Sequence, residues 1–193
     1  MGNIGMICGI DEAGRGPWAG PVTAAAVILD PACLVDGLTD SKKLTAERRE
    51  TLYAEIRASA VTYGIGWASP EEIDRMNIRE ATFLAMKRAI AIMGLVPERI
   101  LVDGNCLPKA LPCAASAIIK GDLTEPSISA ASILAKVARD RAMVELSNRF
   151  PGYGLRRHKG YGTPEHAEAL EALGPCACHR RSFAPVQRAL RAA

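Results

Sequence analysis

Four carboxylates, Asp11, Glu12, Asp103 and Asp122, each stand where a short apolar run meets glycine or a turn. Asp11 and Glu12 follow Ile7-Cys8-Gly9-Ile10 and precede Ala13-Gly14-Arg15-Gly16-Pro17. Asp103 ends Ile100-Leu101-Val102 ahead of Gly104-Asn105, and Asp122 follows Ile118-Ile119-Lys120-Gly121. Acids at the tips of buried strands are costly unless something positive neutralises them. With no His or Cys beside them in the chain, a converged set would be an all-oxygen site, which suits a hard cation such as Mg²⁺ or Mn²⁺. Two such ions, about 4 Å apart, would activate water and stabilise the leaving 3′ oxygen of a phosphodiester. Taken singly, each acid reads as a turn or cap residue. Their joint placement carries the signal.

The neighbours of these acids suit a polyanion. Gly14-Arg15-Gly16 adds flexible, cationic backbone beside the first pair: glycines let main-chain amides approach a sugar or phosphate, and Arg grips phosphate with a fork of donors. Lys42 and Lys43, after Ser41, are candidate phosphate contacts, with an ordinary solvated loop as the bland reading. Tyr161, between Gly160 and Gly162, is expected to be exposed enough to stack on a ribose or base. Cys176-Ala177-Cys178-His179 could pass for half a zinc site. No second ligand pair lies at suitable spacing, so the six cysteines are expected to be reduced, structural thiols. His158, His166 and His179 are expected to be structural or surface residues.

The elements that must position these residues are legible in outline. A chain of 193 residues, 49% hydrophobic but only 5% aromatic, builds its core from Ala, Val, Ile and Leu, as layered α/β proteins do. Strands are expected at 4–11, 21–29, 61–68, 99–103 and 115–119, the first two forming a hairpin. Helical periodicity or caps place helices at 46–59, from Pro70, at 78–93 up to Gly94, at 127–148, from Thr163-Pro164 to about 173, and at 184–191. This order implies a mixed sheet flanked by helices, with strands one and four side by side. One tension is visible: consecutive strand residues face opposite sides, so Asp11 and Glu12 converge only if the strand breaks near Asp11.

The chain reads as one catalytic domain over 1–193, with residues from about 140 forming a helical C-terminal extension. Residues 139–193 hold ten Lys/Arg against five acids, whereas 1–138 hold 14 against 16. An acidic centre beside a basic C-terminal quarter suits nucleic acid held against bound cations. No apolar run approaches the roughly 20 residues that span a bilayer, and no secretory signal opens the chain, so a cytoplasmic location is expected. From the residues alone, a junction-cutting nuclease, a non-catalytic binding module or an Asp-based phosphatase or kinase stays open, although a P-loop is missing.

The ordered motifs narrow this. Asp11-Glu12-Ala13-Gly14-Arg15-Gly16-Pro17, Asp40-Ser41-Lys42-Lys43-Leu44, Val102-Asp103-Gly104-Asn105 and Lys120-Gly121-Asp122 resemble those of bacterial ribonuclease HII, the type 2 ribonuclease H. Ser129 to Asp140, His158-Lys159-Gly160-Tyr161-Gly162-Thr163 and His179-Arg180-Arg181-Ser182-Phe183 continue the resemblance across nearly the whole chain. It implies a ribonuclease H-like fold, cleavage of the RNA strand of RNA/DNA hybrids, and nicking 5′ of single ribonucleotides in duplex DNA, by a monomer. It also implies that Asp11, Glu12, Asp103 and Asp122 hold two ions (Mn²⁺ or Mg²⁺) and act as the catalytic acids. Gly14, Arg15 and Gly16 would read the ribose 2′-hydroxyl, and Tyr161 would stack on the following deoxyribose.

Overall fold

The computed structural model describes residues 6–33 and 35–192. Five strands form one mixed sheet: β1 (Ile7–Ala13), β2 (Val22–Ile28), β3 (Thr62–Ala68), β4 (Arg99–Asp103) and β5 (Ala114–Ile118), in the order β3-β2-β1-β4-β5. The expected start of the first strand at residues 4 and 5 lies outside the described residues. β1 pairs antiparallel with β2 and parallel with β4, which puts the ends of β1 and β4 side by side at the sheet centre. β2–β3 is antiparallel and β4–β5 parallel.

Helices cover both faces. α1 (Ala46–Ser59) and α5 (Pro126–Arg149) pack on one, and α3 (Ile78–Met93) on the other, preceded by α2 (Pro70–Met76). The strand alternation sorts the core accordingly. Cys8, Ile10, Ala24 and Ala26 pack with Ala85 and Met86 of α3, whereas Ala25 and Val27 pack with Leu52, Ile133 and Leu134 of α1 and α5. Small strand residues let helices lie close to the sheet. A Cβ on Gly9 would sit 2.1 Å from the Ser127 carbonyl carbon, so only glycine lets β1 touch the start of α5.

Helix boundaries follow local chemistry. Ser69 and Glu72 form a reciprocal capping box with Pro70 in the first turn, and Asn77 caps α3 by accepting from the Arg79 and Glu80 amides. Gly94, left-handed at φ 68°, ends it. Three short elements were not expected: a 3-10 turn at Ser41–Lys43, α4 (Gly121–Thr124) and α6 (Leu155–His158). Each is too short for a periodic pattern to mark it. α5 passes residue 140 without interruption, and α6, α7 (Pro164–Leu173) and α8 (Ala184–Ala192) follow it. Among the described residues no helix is long and apolar enough to cross a membrane.

Candidate active site

β1 does not break at Asp11. It stays paired with β2 through Ala13, with Asp11 opposite Ala25 and Glu12 opposite Ala24. The two acids therefore diverge: Asp11 shares the parity of Gly9, which meets α5, and Glu12 shares that of Cys8 and Ile10, which face α3. The pair straddles the end of the sheet instead of sharing one face, because continued pairing with β2 satisfies backbone groups that a break would leave exposed.

Asp103 closes the gap between them. It ends β4, next to β1, and its charge acts on both Asp11 and Glu12. Asp103 Oδ1 also accepts from the amides of Gly121 (2.8 Å) and Asp122 (3.4 Å), so the start of α4 is clamped onto the same carboxylate. Ser129 of α5 secures α4 from the other side by donating to the Asp122 carbonyl at 2.8 Å. Asp103 is thus the hub. Its charge reaches the other three acids, which come from β1 and α4.

The electrostatics match a cation-binding cradle. Burial raises the Asp11 carboxyl well above its ordinary range, and the charges of Glu12 and Asp103 push the same way. Glu12 is raised by burial and Asp103, against the opposing pull of Arg15 and Lys42. Asp122 is raised by burial, Asp103 and Asp40, with Lys42 opposing. Three acids held where their charge is disfavoured, all offering oxygen, fit a hard divalent ion. The ring is open: no three of these acids bring oxygens within 4.8 Å of one another. A pair of ions about 4 Å apart, each about 2 Å from its ligands, admits oxygens spread over roughly 8 Å, so this spacing is compatible with two.

Beside the acids runs a cleft lined by Glu12, Gly14, Gly16, Lys42, Ser132 and Tyr161, among others. Arg15 is exposed and lies 3.4 Å from Glu12. Gly14 has φ 94°, and a Cβ there would meet the Arg139 guanidinium at 1.9 Å, so this position requires glycine twice over. Gly16 faces Tyr161, whose Cε1 would lie 3.8 Å from an added Cβ. Tyr161 is 44% exposed, in line with the exposure expected of it, while its backbone is clamped: its amide donates to the His158 carbonyl and its carbonyl accepts from Thr163 and His166. Lys42 lines the cleft, whereas exposed Lys43 of the same turn does not.

Sequence spacing alone misses two residues beneath the loop, Arg139 and Arg180, both almost fully buried. Arg139 donates to the carbonyls of Pro21, Lys159 and Ala19 at 3.0–3.2 Å. Arg180 donates to those of Gly20 (2.9 Å), Arg15 (2.9 Å) and Gly14 (2.6 Å). Burial lowers their pKa values to about 10 and about 9, which leaves both charged at neutral pH. Five carbonyls between Gly14 and Pro21, together with that of Lys159, thus turn inward on two cations. A signal existed for Arg139: Ser132, Lys136 and Arg139 recur at helical spacing and form one face of α5 toward the cleft. For Arg180 no local pattern distinguishes a buried Arg from a solvated one.

The chain as a whole has counterparts among known proteins. The family model described as Ribonuclease HII matches residues 8–186. A ribonuclease HII of Hyphomonas neptunium is 57% identical over 205 aligned residues, covering 99% of each chain. Another, from Acidovorax sp. (strain JS42), is 61% identical over 188 residues, covering 97% of this chain and 90% of that one. The crystal structure of the ribonuclease H2 from Pyrococcus horikoshii OT3 superposes with a TM-score of 0.81 at 27% identity, covering 96% of this chain and 97% of that one. A sheet of the same kind, a matching family model and relatives alike over their full length agree: the chain belongs to the ribonuclease HII family of ribonuclease H nucleases.

Proposed function

We propose that this chain hydrolyses the RNA strand of RNA/DNA hybrids and nicks duplex DNA on the 5′ side of a single embedded ribonucleotide, leaving 5′-phosphate and 3′-hydroxyl ends. Asp11, Glu12, Asp103 and Asp122 hold two divalent ions, Mg²⁺ or Mn²⁺. When bound, those ions supply water activation and stabilisation of the leaving oxygen. The rest falls to the protein's own groups. Gly14, Arg15 and Gly16 meet the ribose 2′-hydroxyl and its phosphate, held in shape by the inward pull of Arg139 and Arg180 on the loop carbonyls. Lys42 takes a backbone phosphate at the cleft wall, and Lys43 contributes only to the surrounding field. Tyr161 stacks on the deoxyribose that follows, where a 2′-hydroxyl would keep the ring from lying flat.

The single observation that supports this reading best is the position of Asp103, whose charge acts on the other three acids while its Oδ1 pins the backbone that carries Asp122. The chain acts as a monomer in the cytoplasm, with the helices after Arg149 helping to hold the duplex. Incubating an end-labelled duplex bearing one ribonucleotide with the protein tests it. With Mg²⁺ or Mn²⁺ a single nick 5′ of the ribonucleotide is expected, and none with chelator. Equal cutting of an all-DNA duplex, or no nick with either ion, would overturn the reading.

A further inference from the structure

A second cluster of metal-ligating atoms lies on the far side of the glycine loop. Cys176 Sγ, Cys178 Sγ and one ring nitrogen of His179 all lie within 4.8 Å of one another, and among the described residues this is the one group of three His, Cys or acidic side chains that does so. The separations are 3.3 Å between the sulfurs and 3.2 and 4.0 Å from the sulfurs to His179 Nδ1. A tetrahedral zinc with bonds of about 2.3 Å to sulfur and about 2.0 Å to nitrogen needs edges of roughly 3.5–3.8 Å. The three donors therefore need to move by only a few tenths of an ångström.

The tautomer of His179 follows from its neighbours. The Tyr161 carbonyl can only accept, so His166 Nδ1 (3.0 Å) carries the proton and donates to it. With the His166 proton on Nδ1, its Nε2 is the acceptor that faces His179 Nε2 at 3.0 Å. His179 Nδ1 then carries a lone pair on the side of the two sulfurs, where the Cys176 amide donates to it at 3.1 Å. A metal-binding histidine is held in this way, with its other ring nitrogen donating to a fixed acceptor. Coordination would replace the amide contact by a metal–nitrogen bond. Cys178 and His179 are buried at 4% and 2% exposure, with Cys176 partly open to solvent for entry and for a fourth ligand.

We propose that Cys176, Cys178 and His179 form a site for a soft divalent cation of the zinc class, separate from the four acids and three-coordinate by protein, with a water in the fourth position. Sequence spacing pointed away from this, since a second Cys or His pair is missing; the tight turn instead draws three donors from four consecutive residues. The site is tied to the glycine loop through the backbone. Ala19 bridges His179, Gly20 donates to the Cys178 carbonyl at 2.8 Å, and Arg180, the next residue, holds the Gly14 and Arg15 carbonyls. Binding would stiffen the loop from behind, a consequence that alone rests on the proposed substrate role.

Co²⁺ titration of the full-length, reduced protein tests the site without reference to cleavage. Thiolate ligation gives a ligand-to-metal charge-transfer band in the near ultraviolet that an all-oxygen site cannot produce. The expected result is such a band saturating at one equivalent per chain, unchanged in Asp103→Asn and lost in both Cys176→Ser and Cys178→Ser. Zn²⁺ should abolish the band and protect Cys176 and Cys178, but not exposed Cys33 and Cys106, from alkylation. If buried Cys178→Ser does not fold, partly exposed Cys176→Ser and the alkylation pattern of the unaltered protein decide. Absence of the band, its survival in Cys176→Ser, alkylation unaffected by Zn²⁺, or a Cys176–Cys178 disulfide in place of two thiols would each overturn the proposal.

Discussion

Asp11 pays for its position. It is 6% exposed beside two other acids, and it accepts a main-chain hydrogen bond from the Glu12 amide at 2.7 Å. Its raised pKa means that the folded chain keeps a proton that the unfolded chain has already lost, over the window from the ordinary carboxylate value near 3.9 upward. Stability from this group therefore falls as pH rises through that window and stays lower above it, unless a cation compensates. Asp11→Asn removes the titration while keeping the shape. In chelator, its melting temperature should exceed that of the unaltered protein by a few degrees at neutral pH, with the difference shrinking toward about pH 4. Mg²⁺ or Mn²⁺ should raise the melting temperature of the unaltered protein more than that of the variant. Cleavage in Asp11→Asn should fall by at least about a hundredfold, as loss of several kcal/mol of transition-state stabilisation requires. A variant that melts lower than the parent in chelator at neutral pH would show that Asp11 is not an uncompensated buried charge.

At the scale of elements, the site depends on how closely α5 lies on β1. The backbone of Gly9 meets that of Ser127, two residues before Asp11 on the strand and just inside the helix that carries Ser129 and Ser132. Gly9→Ala puts a methyl where there is no space, and the nearest neighbours, in Ser127 and Ile128, are backbone atoms that cannot rotate away. The strand and helix must separate, which should cost about 1–3 kcal/mol, or roughly 2–12 °C in melting temperature. Divalent-dependent stabilisation should weaken in parallel, because Ser129, which fixes α4, moves with the helix. An unchanged melting curve would mean that the contact is slack. Much at this scale was legible beforehand: α3 starts at its Asn77 cap and stops at Gly94, and α1 covers 46–59, because caps and long periods are local properties. The course of β1 past Asp11 was not, since the pairing with Ala24 and Ala25 that carries it on comes from another part of the chain. Nor was the one-turn helix α4, which is held by Asp103 and Ser129 and by no periodicity of its own. The four acids and the glycine loop were readable as types at telling places, and helical spacing placed Arg139 on the cleft face of α5, whereas the hold of Arg180 on the loop carbonyls emerges only once distant segments meet.

The whole molecule carries a formal net charge of only +3, yet charge is divided between an acidic centre and a basic final quarter. Several of the basic residues there are already engaged. Arg139 and Arg180 are buried on carbonyls, Arg141 pairs with Glu50, and Arg157 pairs with Glu165. The cations left to meet phosphate near the cleft are therefore few, with Arg15 and Lys42 the nearest to the acids, and Lys136 is held by Asp140 at 2.8 Å. This limits the electrostatic part of duplex binding. If about three to five phosphates are neutralised, the plot of log affinity against log salt should have a slope of roughly −3 to −5, well short of a protein that grips DNA along a continuous basic face. Measuring fluorescence anisotropy with Asp11→Asn, in Ca²⁺-free buffer and over a series of salt concentrations, gives that slope without cleavage. Lys42→Ala should reduce its magnitude by about one and weaken binding similarly for duplexes of any sequence, whereas Lys43→Ala, outside the cleft, should leave it nearly unchanged. A salt-independent affinity would place recognition in stacking and hydrogen bonds alone, and equal effects of the two lysines would remove Lys42 from the cleft wall as a specific contact.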